Sequence, residues 1–232
     1  MKNLVVITGS SSTLGKNLIK KIIKNKNTFL LLHVNENKKK LINEINIKNN
    51  NFKIIKADFN QDSKIKYFIK VFQKYYNFKN ISIIHLASSN LKIKKFKNYK
   101  WQDIVKQLSI NLKSIFMILN NLINNNSKSN IKIIILLSKI IKDKPIPGTI
   151  DYTIAKFSLL GLVNSLNIEF RNDRISIDSI SPPMFKSKMI KNLPLYIYQN
   201  IKSEHIISKV TKKILILLNQ KTKKTPGKNY YI

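Results

Sequence analysis

The chain is predicted to fold as a parallel, doubly wound α/β sheet with helices on both faces, one domain spanning residues 1–232. Three observations lead there. Short apolar runs alternate with longer amphipathic stretches, the rhythm of strands joined by crossover helices. Several of the runs are near-continuous Ile, Val and Leu, as strands covered on both faces require. The first run ends in a glycine-bearing turn that leads straight into a helical stretch. A length of 232 residues with 43% hydrophobic content supports a sizeable core.

In order, Leu4–Ile7 is the first strand, and Leu14–Lys24 follows it as a helix. Phe29–Val34 and Asn37–Ile47 form the second strand–helix pair, Phe52–Ile55 and Ser63–Tyr76 the third. Ile81–Leu86 is the fourth strand, ahead of a long helix over Trp101–Asn124. The Asn-rich stretch Asn124–Asn130 reads as a loop before the fifth strand, Ile131–Leu137. A helix over Tyr152–Phe170 leads to the sixth strand, Ile175–Ile180, then to a helix over Ser203–Leu218. Lys221–Lys224 is a loop, and Asn229–Ile232 a closing strand. Right-handed crossovers place the helices on both faces. No linker divides the chain and no segment repeats.

The turn after the first strand reads Thr8-Gly9-Ser10-Ser11-Ser12-Thr13-Leu14-Gly15. Gly9 permits a tight exit from the strand, and Gly15 close packing of helix on sheet. The helix N-terminus then faces outward with free N–H groups, an arrangement suited to an anion. The chain has only 5 Gly, and two of them sit in this turn, which points to a backbone requirement there.

Composition excludes several chemistries. There is no Cys, so disulfides, thiolate-bound zinc and thiol catalysis are out. His33, His85 and His205 are scattered without metal-ligand spacing. The net charge of +32 invites a nucleic-acid partner. Only Arg171 and Arg174 carry the fork that reads phosphate and bases, however, and the rest of the basic set is Lys. Heavy Asn, Ile and Lys usage with few Gly matches A/T-biased codons, so nucleic-acid binding is disfavoured. An acidic protein partner suits the surface as well. No signal peptide precedes the first strand, and no apolar run approaches the roughly 20 residues of a membrane span. The expected location is the cytoplasm.

Tyr152 and Lys156 lie four apart on one face of the helix predicted over Tyr152–Phe170. A phenol beside an ammonium makes a proton-transfer pair, because the cation favours the phenolate. The spacing alone does not discriminate, since Tyr75 with Lys79 and Tyr198 with Lys202 share it. Ser138 ends the fifth strand 14 residues before Tyr152, and Asn111 lies 41 residues before it; neither competing pair has a strand-end Ser at that distance.

On these residues the chain resembles the short-chain dehydrogenase/reductase family over nearly its full length, which implies a Rossmann-type fold. Thr8-Gly9 with Gly15 resembles the family's Thr-Gly-x-x-x-Gly-x-Gly loop, Asp58 its adenine-contacting Asp, and Asn111, Ser138, Tyr152 and Lys156 its catalytic set. Pro182 resembles the start of the Pro-Gly segment, with Ser187 where Thr is frequent, and Thr225-Pro226-Gly227 before Tyr230-Tyr231-Ile232 the final turn and strand. The resemblance implies a nicotinamide cofactor held by Thr8, Gly9, Ser11, Ser12, Thr13, Leu14, Gly15, Asn35, Asp58, Phe59, Ala87, Tyr152, Lys156, Pro182, Phe185 and Ser187. It implies hydride transfer between that cofactor and a carbonyl or alcohol. Tyr152 would move the proton, Lys156 would lower its pKa and hold the nicotinamide ribose, Ser138 would bind the carbonyl oxygen, and Asn111 would anchor a water.

The departures are equally specific. Thr13 replaces the loop's middle Gly, His85-Leu86-Ala87-Ser88 stands for Asn-Asn-Ala-Gly, Pro183 follows Pro182 in place of Gly, and the chain ends early. After the second strand, Asn35 is neutral, Glu36 follows, and Lys38–Lys40 come next, which favours NADPH over NADH. The apolar segment Met184–Gln199 (Met184, Phe185, Met189, Leu193, Leu195, Tyr196, Tyr198) is expected either to cover the substrate or to pack on the core. The family's housekeeping reaction, reduction of 3-oxoacyl groups on acyl carrier protein, fits an apolar wall and a basic surface. The family commonly forms homotetramers through the helices of Asn111 and Tyr152. Two other readings stay open: a nucleotide- or partner-binding protein without turnover, and a basic nucleic-acid-binding protein on the same scaffold.

Overall fold

Apolar residues at strand and helix periods sort the chain onto the two faces of one sheet. The computed structural model describes residues 2–36, 38–46, 51–126, 128–171, 174–191, 193, 195–199, 201, 204–220 and 227–232. Seven strands run β1 (Asn3–Thr8), β2 (Thr28–Val34), β3 (Phe52–Lys56), β4 (Asn80–His85), β5 (Asn130–Leu136), β6 (Ile175–Ser181) and β7 (Asn229–Tyr231). They form a parallel sheet in the order β3-β2-β1-β4-β5-β6-β7. The helices are α1 (Thr13–Ile22), α2 (Lys38–Ile45), α3 (Asp62–Gln73), α4 (Trp101–Leu108), α5 (Ser114–Asn125), α6 (Ile150–Glu169), α7 (Leu195–Gln199) and α8 (Glu204–Asn219).

Successive strand residues point to opposite faces. Leu4, Val6, Ile81, Ile83, Ile131, Ile133 and Ile177 pack beneath α3, α5 and α6. Val5, Ile7, Leu30, Leu32, Ile84, Ile134 and Ile180 pack beneath α1, α2 and α8. One cation sits in this second layer. Lys132 on β5 is buried, and its Nζ donates to the carbonyls of Leu217 and Gln220, capping the C-terminal end of α8. At the N-terminal ends of three neighbouring strands, Asn80 donates to Asn3 at 2.9 Å and Asn130 to Asn80 at 3.1 Å, a short amide ladder in register.

One helix expectation needs correction. The helix expected over Trp101–Asn124 is interrupted: α4 and α5 are joined by a π turn, Ser109–Lys113, in which the Ser114 N–H reaches back five residues to the Ser109 carbonyl. Met184–Gln199, expected to cover the substrate or pack on the core, forms a 3₁₀ turn (Lys188–Ile190) and the five-residue α7, with Met184, Phe185 and Met189 on the cavity wall and Leu193 in a buried cluster. Leu195 is 68% exposed, so it forms neither a core contact nor a substrate wall. Asn37, Ile47, Ser203, Lys221–Lys224, Thr225 and Pro226 lie outside the described residues.

The strand order reverses between β2-β1 and β4. The loops that leave the C-terminal ends of β1 and β4 therefore diverge and open a crevice there.

Candidate active site

At the end of β1 the backbone turns sharply. Gly9 has φ +68°, and a Cβ there would lie 2.9 Å from the backbone of Leu86 and Ala87. Both facts demand glycine. A Cβ on Gly15 would lie 2.7 Å from the Ser10 carbonyl oxygen, which explains the second glycine as a packing requirement. Ser12 caps α1, its Oγ accepting the Gly15 N–H at 3.0 Å. Ser10 Oγ donates to the Ile7 carbonyl at 2.7 Å.

Two histidines flank this turn, one on each strand beside β1. His33, in β2, accepts the Gly9 N–H on Nδ1 at 3.2 Å, and its Nε2 lies 2.8 Å from the Ala57 carbonyl. That pairing assigns the proton to Nε2. Its ring stacks on Phe59 with centroids 3.7 Å apart. His85, the last residue of β4, lies with Nε2 2.9 Å from the Asn111 carbonyl and Nδ1 2.9 Å from Thr8 Oγ1. Thr8 Oγ1 in turn accepts the N–H groups of Leu86 at 3.1 Å and Ala87 at 3.2 Å. Burial holds the pKa of His33 down to about 4. Burial, and then the charge of Lys156, hold His85 down to about 3. Both rings are neutral at ordinary pH.

Above the turn lies a cavity of about 990 Å³. Gly9, Ser11, Ser12, Thr13, Leu14, Asn35, Glu36, Lys40, Asp58, Phe59 and Ala87 line one half. Ser138, Tyr152 and Lys156 stand at its centre, and Leu91, Ile140, Ile146, Met184 and Met189 line the rest, with Pro182, Phe185 and Ser187 also on the wall. Leu91 N–H donates to the Met189 carbonyl at 2.9 Å, closing the loop after β4 onto the segment after β6. Asp58 caps its own turn, accepting the Asn60 N–H at 2.9 Å, and leaves its other oxygen with a longer 3.4 Å contact to Gln61.

Tyr152 and Lys156 share the inner face of α6 and are both buried. Lys156 Nζ donates to the Leu136 carbonyl at 3.0 Å and lies 5.5 Å from the Tyr152 ring centroid. Burial lowers its pKa to about 7. Burial raises the Tyr152 phenol above its ordinary value, and a hydrogen bond with Ser138 pulls it partly back. The expectation that Lys156 lowers this phenol is thus corrected: Ser138 does so, and the net shift is upward. Tyr99 braces the start of α6, its hydroxyl lying 2.6 Å from the Gly148 carbonyl and 3.1 Å from Asp151, whose carboxylate accepts the Tyr152 N–H at 2.8 Å.

Asn111 sits in the π turn and is fully buried. Its Nδ2 donates to the carbonyl and side-chain oxygens of Gln107, both at 3.0 Å, while its Oδ1 is a buried acceptor without a hydrogen-bond partner. That atom fits the water-anchoring role expected of this residue.

Thr8, Gly15 and Asn111 lie beneath the cavity rather than on its wall. Phe59 touches it only marginally, being 2% exposed against His33. Leu193 is buried in a cluster with Tyr152, Leu91 and Ile190, and Tyr198 packs at that cluster's edge. The side chain of Tyr196 and all of Lys202 lie outside the described residues. The competing Tyr75 stacks on Phe29, away from the cavity. Sequence reading missed His33 and His85 as partners of the turn. Their signal was positional, since both stand at the C-terminal ends of the strands that border β1.

Residues 3–195 match the family described as short chain dehydrogenase. The 3-oxoacyl-(acyl-carrier-protein) reductase FabG of Buchnera aphidicola subsp. Baizongia pistaciae is 30% identical over 197 residues, 83% of this chain and 77% of that protein. A short chain dehydrogenase family protein from Francisella tularensis has the same fold at a TM-score of 0.81 and 21% identity, covering 100% of this chain and 97% of its own. ElxO with NADP bound does so at a TM-score of 0.81 and 18% identity, again covering 100% and 97%.

Proposed function

The chain belongs to the short-chain dehydrogenase/reductase family of NAD(P)-dependent oxidoreductases, and on that premise we propose that it reduces a 3-oxoacyl thioester carried on acyl carrier protein, using NADPH. The observation that carries the reading is the convergence of Ser138, Tyr152 and Lys156 on the one cavity that the Gly9 turn also lines.

The cavity residues fit a dinucleotide. Gly9 cannot carry a Cβ, and Ser11, Ser12 and Thr13 present hydroxyls beside the start of α1. Thr13, in place of a glycine, adds a further donor there. Lys40 on the wall beside Asn35 gives a 2′-phosphate a cation. NADPH is also favoured by the NADP-bound ElxO neighbour. When bound, the nicotinamide supplies the hydride that reaches the carbonyl carbon. Tyr152, kept protonated by burial, donates its proton to the oxygen as the alkoxide develops. The Ser138 hydroxyl donates to the same oxygen and steadies the growing charge. Lys156, with a pKa near 7, holds the ribose. Asn111 Oδ1 holds a water that returns the proton.

An acyl chain is supported by the apolar wall of Leu91, Ile140, Ile146, Met184 and Met189, and by the name of the Buchnera relative. The +32 charge suits an acidic carrier. Assembly into a homo-oligomer is supported by apolar side chains left exposed on α4, α5 and α6: Trp101 at 66%, Phe116 at 52% and Phe157 at 46%. Among the described residues no helix is long and apolar enough to cross a membrane, and the proposed location is the cytoplasm.

The test follows nicotinamide absorbance with an acetoacetyl thioester, NADPH and NADH in parallel. Turnover with NADPH that is lost in Tyr152→Phe is expected. Equal turnover by the two proteins removes the mechanism, tighter NADH binding reverses the cofactor choice, and cofactor binding without turnover replaces the enzyme with a binding protein.

A further inference from the structure

His85 occupies a junction that the reaction scheme leaves unused. On one side its Nδ1 meets Thr8 Oγ1, the atom that also receives the Leu86 and Ala87 N–H groups. On the other side its Nε2 meets the Asn111 carbonyl. The chemistry of these groups leaves one assignment. A carbonyl only accepts, so Nε2 carries the proton. Nδ1 is then an acceptor, and Thr8 must donate to it. The Thr8 hydroxyl has one proton and two lone pairs, and all three are engaged. The result is a closed run of directed bonds from the cofactor turn, through a neutral imidazole, to the π turn that holds Asn111.

The π turn makes the far end of that run available. Its bonds reach back five residues instead of four, so carbonyls in this stretch turn towards side chains. Gln107 O receives Asn111 Nδ2, Ile110 O receives Ser114 Oγ at 2.7 Å, and Asn111 O receives His85. The near end abuts Gly9, whose missing Cβ lets the backbone of Leu86 and Ala87 approach. A leucine at position 85 would leave Thr8 Oγ1 without its acceptor and the Asn111 carbonyl without its buried donor.

We infer that His85 is a positioning residue that couples the cofactor turn to the π turn, so that settling Gly9, Leu86 and Ala87 also sets Asn111 and its water-holding Oδ1. Its role in the reaction rests on the proposed reductase activity, but the coupling does not. The first measurement therefore needs no cofactor: amide hydrogen exchange of the parent, His85→Leu and His85→Asn. In His85→Leu, exchange is expected to rise about tenfold or more both at 86–87 and at 109–114. In His85→Asn, whose carboxamide both donates and accepts, both segments recover at least in part. Should His85→Leu fail to fold, Thr8→Val keeps the imidazole, deletes its partner and carries the same expectation at both segments. Loosening at only one segment, or at neither, overturns the coupling.

The second measurement separates positioning from bulk stability. With rates normalised to folded protein, His85→Leu is expected to lower kcat about tenfold and weaken NADPH binding several-fold, with His85→Asn restoring most of both. Unchanged kcat and Kd at a lowered Tm assign the residue to stability alone. A parent that turns over no substrate removes the proposed reaction while leaving the exchange result to decide the coupling.

Discussion

The half of the cavity around Gly9 is walled by backbone turns that bond to one another, whereas the half beyond Tyr152 is walled by apolar side chains on loops. In the first half, Gly9, Ser12, His33, Thr8 and Ala87 are each fixed by a directed bond or a close approach. In the second, the side chains of Leu91, Ile140, Met184 and Met189 meet through apolar contact, and the directed bonds here, from Leu91 N–H to the Met189 carbonyl and from Ile140 N–H to Ser138 Oγ, hold only their backbones. Directed bonds set geometry and tolerate little change. Thioether and aliphatic contacts set volume and adapt. The difference implies that one half recognises a constant group and the other a variable one, and the two are separable by mutation.

The largest effect is expected at the seam between the halves. Lys156→Met should lower kcat by about a hundredfold or more while raising thermal stability. Burial depresses the folded-state pKa of Lys156 to about 7. The unfolded chain therefore binds more protons between about pH 7 and the ordinary value near 10.5, and stability rises with pH across that window. Below about pH 7 the cost of the buried ammonium is present in full. Methionine removes it, and the fall from 10.5 to about 7 corresponds to about 5 kcal/mol, so a Tm gain of about 10–20 °C at neutral pH is expected for a chain of this size. A fall in Tm, or retained kcat, contradicts the assignment. The same pKa predicts that carbonyl reduction by the parent declines as pH rises through about 7, which a pH–rate profile checks.

Next comes the directed half. Gly9→Ala places a Cβ against Leu86 and Ala87 at positive φ, costing about 1–3 kcal/mol. It should weaken NADPH binding about tenfold in a fluorescence titration. Smaller and opposite in character, Met189→Ala should raise KM for a medium-chain acyl thioester about fivefold and leave NADPH affinity unchanged. If Met189→Ala disturbs cofactor binding as much as Gly9→Ala does, the two halves are not separable. The smallest effect is expected from Lys40→Glu on the cofactor rim. A partly screened charge contributes up to about 1 kcal/mol, so the NADPH-to-NADH preference should fall about threefold.

The same contrast governs how much was legible in the sequence. Strand and helix periods placed the seven strands and the sheet type within a residue or two, because burial on both faces writes itself into runs of Ile, Val and Leu. Gly9 and Gly15 were legible because a backbone constraint admits one residue. That Ser138, Tyr152 and Lys156 share one cavity was legible from their order and spacing, although Asn111 lies beneath it. His33 and His85 were not, since their partners lie 24 to 77 residues away along the chain and all but Thr8 Oγ1 are backbone atoms. The π turn was hidden for a related reason: Ser109–Lys113 has ordinary helix-forming composition, and what accompanies the opening is the bonding of Asn111 Nδ2 and Ser114 Oγ to the carbonyls of Gln107 and Ile110. The Met184–Gln199 segment left two readings open because apolar residues that line a cavity and apolar residues that fill a core look alike in sequence, and the segment does both.

The π turn also sets how the length of this region can vary over generations. Each helical residue advances the chain by about 100° around the axis. Removing any single residue from Ser109–Lys113 would straighten the bonding, yet it would rotate α5 against α4 by that amount. Ile115, Ile118, Leu119 and Leu122 would then leave the core, or Asn111 would leave Lys156's side of the helix. Substitutions at Ile110 or Leu112, which are only partly buried, disturb one contact each. Descendants of this sequence can therefore change the letters at Ile110 and Leu112 far more readily than the residue count of the stretch.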